Sequence, residues 1–124
     1  MNGLIAVFLG GGIGAVMRYL LGKLIASLYL GFLPLATLLS NIIACVFLGI
    51  ILFFLSDSKL VTEQSKLFLI IGLCGGLSTF STFSIETFNL IKNGHTYWAV
   101  LNIFVSIGVC LLIIFFLSKK SSVI

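Results

Sequence analysis

The sequence predicts an all-α integral membrane protein of four transmembrane helices, and three observations predict it. Of its 124 residues 60% are hydrophobic and only 8% charged. A soluble domain of this length cannot bury that much apolar surface, so lipid must be the solvent. Four apolar segments, about residues 4–29, 34–55, 66–91 and 96–117, each reach the roughly 20 residues that cross about 30 Å of hydrocarbon. The connections between them, "LGFL", "SDSKLVTEQS" and "KNGH", are too short to hold an extramembrane domain. The whole chain, 1–124, therefore reads as one transmembrane domain whose function resides inside the bilayer.

The first segment has neither a basic leader nor an A-x-A cleavage site and is too long for a signal peptide, so it reads as a mature helix. It carries "GGGIGAVMRY", in which Gly10 and Gly14 are four apart, as are Gly11 and Ala15. That spacing lets two helix backbones approach closely. Arg18 lies well inside the span, and an ionisable side chain there is a functional candidate by default. Two readings stand beside each other: it snorkels or caps carbonyls at a helix junction, or it draws anions into a wet vestibule.

The second segment starts at Pro34, a favoured first-turn residue. It carries Thr37, Ser40 and Asn41, with Thr37 and Asn41 on one face. The fourth repeats the device with Asn102, Ser106 and Cys110 at four-residue steps. One such stripe reads as interhelical glue; two on separate helices point to a wet path.

The third segment holds "GGLSTFSTFSIE", Gly75 to Glu86. Glycine is a poor helix former, and Ser and Thr compete for backbone hydrogen bonds. "CGGLST" therefore predicts a break in the third helix at mid-membrane, tolerated only where it is buried in protein or lines a cavity. An unwound turn offers carbonyl oxygens to a hard cation. The competing reading is that Gly72, Gly75 and Gly76 serve close packing alone. Beyond the break, Thr79, Thr82 and Glu86 form a stripe beside Phe83, with Phe80 on the adjoining row. Aromatic rings have a positive edge, so phenylalanines presented edge-on to a path touch an anion without trapping it.

Cys45, Cys74 and Cys110 fall one in each of the last three spans. An odd number at membrane depth argues against a disulfide framework or zinc site and reads as soft packing. The net charge of +4 does not imply nucleic acid, because the basic residues are scattered. With four spans, Lys59, Lys66, Lys119 and Lys120 share one side of the membrane, and Lys23 and Lys92 the other. That bias is weak, which leaves termini in the cytoplasm or insertion both ways up. The sequence shows no nucleotide loop and no paired carboxylates, and its single histidine, His95, lies in a loop; the chain does not read as an enzyme. From the residues alone, the reading stops at a pathway for a small anion or cation.

Three motifs in order carry a resemblance over essentially the full length. "GGGIGAVMRY" is similar to the first-helix glycine motif of the small bacterial fluoride channels, the Fluc or CrcB family. "TLLSN" resembles its second-helix motif, and "GLCGGLSTFSTF" its helix-three signature, the most specific of the three. The resemblance implies an antiparallel, dual-topology homodimer in a bacterial plasma (inner) membrane, with two fluoride pores. It also implies a structural, non-transported Na+ on the dimer axis, held by the backbone carbonyls of Gly75 and Ser78 from both chains. Phe80 and Phe83 match the paired pore phenylalanines and Asn41 the pore asparagine. Thr37, Ser81, Thr82 and Glu86 belong to or flank the polar track, and Ser106 and Cys110 stand where pore-lining hydroxyls are usual. Cys110 departs from the pattern, as do Ala36 before Thr37 and Ser40 before Asn41. The implied function is passive, selective fluoride export that relieves fluoride toxicity. The alternative is a small dual-topology exporter coupled to protons through Glu86.

Overall fold

The computed structural model describes residues 2–55 and 61–118. Lys59, Lys119 and Lys120, on which half of the orientation argument rests, lie outside the described residues. Among those described, every regular element is helical, and four helical stretches are long and apolar enough to cross a membrane: Gly3–Leu28, Leu35–Phe54, Glu63–Lys92 and Thr96–Ser118.

Helix α1, Gly3–Leu28, begins at Asn2, whose side chain accepts from the Leu4 N–H, and ends where Tyr29 turns extended. Helix α2, Leu35–Leu55, follows Pro34 directly, and the Pro34 carbonyl accepts from the Leu38 N–H at 3.1 Å. The third span is composite. A short α3, Glu63–Lys66, is capped by the Thr62 hydroxyl and runs into a π-helical segment, Leu67–Cys74, where the Gly75 N–H reaches back five residues to Ile70. One turn, α4 (Gly75–Leu77), comes next; Ser78 and Thr79 then have extended backbone, with ψ of 155° and 123°. Helix α5, Phe80–Lys92, starts from the Thr79 side chain as its cap. It ends in a Schellman motif: the His95 N–H donates to Leu90 and the Gly94 N–H to Ile91. Gly94 supplies the left-handed φ of +82° that the motif needs. Helix α6, Thr96–Ser118, completes the chain.

The α1–α2 loop and the α5–α6 turn meet at one end, where Phe32 stacks on His95 at 4.2 Å and Trp98 stands edge-on to Phe32. Tyr29, Tyr97 and Trp98 cluster there, as aromatic residues do at a membrane–water boundary.

Backbone contact, rather than large side chains, joins α1 to the third span. A Cβ on Gly10 would collide with the Phe68 carbonyl, one on Gly14 with the Leu73 carbonyl, and one on Gly76 with the Gly11 carbonyl. The other principal packings are α2 on α6 and α5 on α6. Half of the buried apolar set is small, with Ala6, Ala44, Ala99 and Cys74 beside Leu52, Leu77, Phe83 and Leu90. Leu4, Phe8, Leu28, Phe104 and Phe116 point outward. This inverts a soluble protein's economy: between helices lipid offers no hydrophobic drive, so close approach and polar links do the joining.

Candidate functional site

Three cavities lie in series along the polar faces of α1, α2, α5 and α6. The first, about 330 Å³, is at the loop end, between Pro34 and His95, with Glu86 in its wall. The second, about 180 Å³, also has Glu86 in its wall, together with Arg18, Thr37, Thr79 and Thr82. The third, about 220 Å³, shares Thr79 with the second and is lined by Asn41, Cys45, Ser78, Phe80, Phe83, Ser106 and Cys110. Glu86 and Thr79 are thus the walls common to neighbouring cavities.

The extended pair Ser78–Thr79 organises this region. The Thr79 N–H donates to Asn41 Oδ1 at 2.8 Å, and Asn41 Nδ2 donates back to the Thr79 carbonyl at 3.4 Å. One amide side chain therefore satisfies both backbone groups of the residue that leaves the helix, as a non-aqueous setting demands. The Thr79 hydroxyl accepts from the Thr82 N–H at 3.3 Å and donates to Thr82 Oγ1 at 3.1 Å. These bonds take two N–H groups from their helical partners. In an unbroken α-helix, Gly75 would receive the Thr79 N–H and Ser78 the Thr82 N–H; here Asn41 and the Thr79 hydroxyl receive them. A third carbonyl, that of Gly76, accepts instead from Arg18 Nε at 3.3 Å. Of the two readings of Arg18, the carbonyl cap describes its Nε, while the guanidinium also lines the second cavity.

Glu86 Oε1 accepts from the Thr37 hydroxyl at 2.9 Å. Its Oε2 is buried and has no hydrogen-bond partner among the described residues. On the far side, Asn102 Nδ2 donates to Thr87 Oγ1 at 3.1 Å, and Ser106 Oγ donates to Asn102 Oδ1 at 3.3 Å. The fourth-helix stripe is therefore interhelical glue at Asn102, and it reaches the third cavity through Ser106 and Cys110. Ser40 sits fully inside and donates to its own helix, at the Ala36 carbonyl 2.8 Å away.

The two phenylalanines have ring centroids 5.8 Å apart with planes tilted by 38°. Phe83 is 8% exposed and Phe80 78%, so the pair spans from the protomer's interior to its surface. Gly75 is likewise on the surface. Ser81 lines none of these three cavities; its hydroxyl lies 3.4 Å from Thr79 Oγ1.

Sequence reasoning placed Thr79 on the stripe without giving it a role. The signal was present: Thr after a glycine-rich stretch, three residues before Thr82, is a helix-start pattern. Cys45 was read as packing only, because its neighbours on α6 are set by tertiary structure.

The family described as CrcB-like protein, Camphor Resistance (CrcB), matches residues 5–117. A Clostridium perfringens protein named fluoride-specific ion channel FluC is 42% identical over 108 residues, 87% of this chain and 84% of that one. Proteins of the same name from Pyrococcus furiosus and Shewanella pealeana are 45% and 39% identical, over 88% and 93% of this chain and 87% and 92% of their own lengths. With matches that run through all four spans, this chain belongs to the CrcB family.

Proposed function

We propose that this protein is a passive, fluoride-selective channel of the plasma (inner) membrane that exports fluoride and so relieves its toxicity. The observation that carries the proposal is near-full-length similarity to proteins named fluoride-specific ion channels. The run of three cavities supports it as the route.

Fluoride is small and tightly hydrated, so a path must replace its water with hydrogen-bond donors that hold it weakly at several places. The hydrogen bonding narrows the donor set. Thr37 and Ser106 have their single hydroxyl protons committed to Glu86 and Asn102, and Asn41 has one of its two amide protons committed to Thr79. Thr82 receives a hydrogen bond from Thr79 and so keeps its own hydroxyl proton for the second cavity. Arg18 also lines the same cavity, and Ser78, Cys110, Phe80 and Phe83 line the third. In this reading Asn41 shapes the path, and Thr82, Ser78 and the rings touch the ion. An inside-negative potential of 100 mV favours exit of one anion by about 2.3 kcal/mol, close to fiftyfold.

The extended residues Ser78 and Thr79 serve as the mid-membrane break of the third span. The carbonyls of Gly75 and Ser78, relieved of their helical N–H partners, fit a hard cation and would hold Na+. Bound there, Na+ supplies fixed positive charge to an otherwise apolar contact. An antiparallel homodimer accounts for Gly75 and Phe80 standing on the protomer surface, where a second copy would cover them.

The test is fluoride efflux from liposomes containing the purified protein, read with a fluoride electrode after adding a potassium ionophore. Fluoride release without chloride release is expected; retention of both ions by vesicles with verified protein would defeat the reading. Phe83→Ile keeps the bulk but removes the ring edge, and is expected to cut flux at least tenfold with the fold intact. Phe80→Ile should do the same, and wild-type rates in both would remove the ring-edge mechanism. Glu86→Gln separates the channel from a proton-coupled exporter. Its amide still accepts from Thr37, so passive flux should persist within about tenfold, and no pH gradient should drive uptake in either protein.

A further inference from the structure

The fold treats its three thiols differently. Cys74 is buried in the π-helical segment and lines none of the three cavities. Cys45 on α2 and Cys110 on α6 both line the third cavity beside Phe83. They come from the two helices of the α2–α6 packing. Thiols are weak hydrogen-bond donors, but two of them together on a cavity wall are a pair of soft ligands.

The number of ligands selects the class of ion. No group of three or more His, Cys, Asp or Glu side chains converges among the described residues. A structural zinc ion takes four ligands in tetrahedral array, so this pair does not suit zinc. Soft thiolate sulfur favours soft metals, and two sulfurs alone satisfy the ions that prefer two-coordinate, near-linear geometry. The pair borders open space on one side, which gives an ion a way in, and the two cysteines come from packed helices that share this cavity wall.

We propose that Cys45 and Cys110 form a two-thiolate site for a soft two-coordinate cation of the Hg(II) or Ag(I) class, and that filling it obstructs the third cavity. Binding breaks two S–H bonds, forms two metal–sulfur bonds and releases two protons; no electron is transferred. With Hg(II) the bound unit is neutral, and it occupies space beside Phe83 while removing the Cys110 donor. The binding step stands on the cavity geometry alone; only the obstruction rests on the fluoride-channel reading.

The experiment titrates the purified full-length protein with mercuric chloride in the presence of excess glutathione, reading bound mercury per chain. The wild-type chain is expected to retain one Hg(II). Cys45→Ser and Cys110→Ser should each weaken retention at least a hundredfold, and Cys74→Ser should leave it unchanged. Wild-type retention in either of the first two variants, or an equal loss in Cys74→Ser, overturns the site. A second measurement needs no variant: after mercury loading, the wild-type protein is denatured in detergent and alkylated. Cys45 and Cys110 should be protected and Cys74 modified; equal protection of all three thiols overturns the pairing. In liposomes, one equivalent of Hg(II) should slow fluoride efflux at least tenfold, with recovery on adding dithiothreitol. Unchanged efflux with the site filled overturns the obstruction. Loss of all fluoride flux from untreated protein would instead defeat the channel reading and leave the metal site standing.

Discussion

Gly14→Val will part α1 from the third span and leave no cooperatively folded protomer. A Cβ at Gly14 would collide with the Leu73 carbonyl and come within 2.8 Å of the Leu77 nitrogen and 3.0 Å of the Gly76 carbonyl carbon. These are backbone atoms and cannot rotate aside. Overpacking a yielding core costs about 1–3 kcal/mol and more where nothing gives; this contact is of the second kind, and valine adds two methyl groups beyond the Cβ. The control lies in the same motif. A Cβ at Gly12 would meet nothing within 4 Å, and alanine in place of a helical glycine gains about 0.5–1 kcal/mol. Thermal unfolding in detergent should show Gly12→Ala melting at or above the wild type and Gly14→Val without a cooperative transition. Equal melting of the two variants would remove backbone contact as the force that joins these helices.

Asn41→Leu will cost about 1–3 kcal/mol of stability and at least a hundredfold in fluoride flux. Leucine keeps most of the volume but strands the Thr79 N–H and carbonyl, and a buried polar group left unpaired costs about 1–3 kcal/mol. The reach of the change is larger than its energy. Without Asn41, the Thr79 N–H is free to return to Gly75, and the extended turn has a reason to wind into helix. That movement would carry the Thr82 and Phe83 side chains away from the cavities they line. Asn41→Asp keeps the Oδ1 acceptor for the 2.8 Å bond and loses only the 3.4 Å donor, so it should retain more flux than Asn41→Leu. Amide hydrogen exchange at Thr79 gives a direct reading, fast in Asn41→Leu and slow in the wild type. Equal flux in the two variants would show that Asn41 acts on the ion rather than on the backbone.

How legible all this was in the sequence differs from residue to residue. Four spans were readable because the bilayer sets their length and apolar content directly, and both are local properties. Gly10 and Gly14 were readable as a packing pair because helical periodicity places residues four apart on one face. The same string, "GGGIG", did not reveal that Gly12 is free while Gly14 is locked, since that depends on which side faces the third span. Asn41 and Asn102 looked alike, each an amide on a polar stripe. One clasps an extended backbone and the other ties α5 to α6 through Thr87, a distinction made entirely by partners 38 and 15 residues away in the chain.

Composition and periodicity by themselves determined that this chain lives in lipid, crosses it with four helices, and carries its polar chemistry on the inner faces of those helices. These follow from solvent and from local geometry. Tertiary structure alone decided which polar protons are spent and which remain free, that Asn41 holds the extended Thr79 backbone, and that Cys45 and Cys110 share a cavity wall. Each of those depends on a partner from a distant part of the chain, and a hydrogen bond belongs to both of its ends.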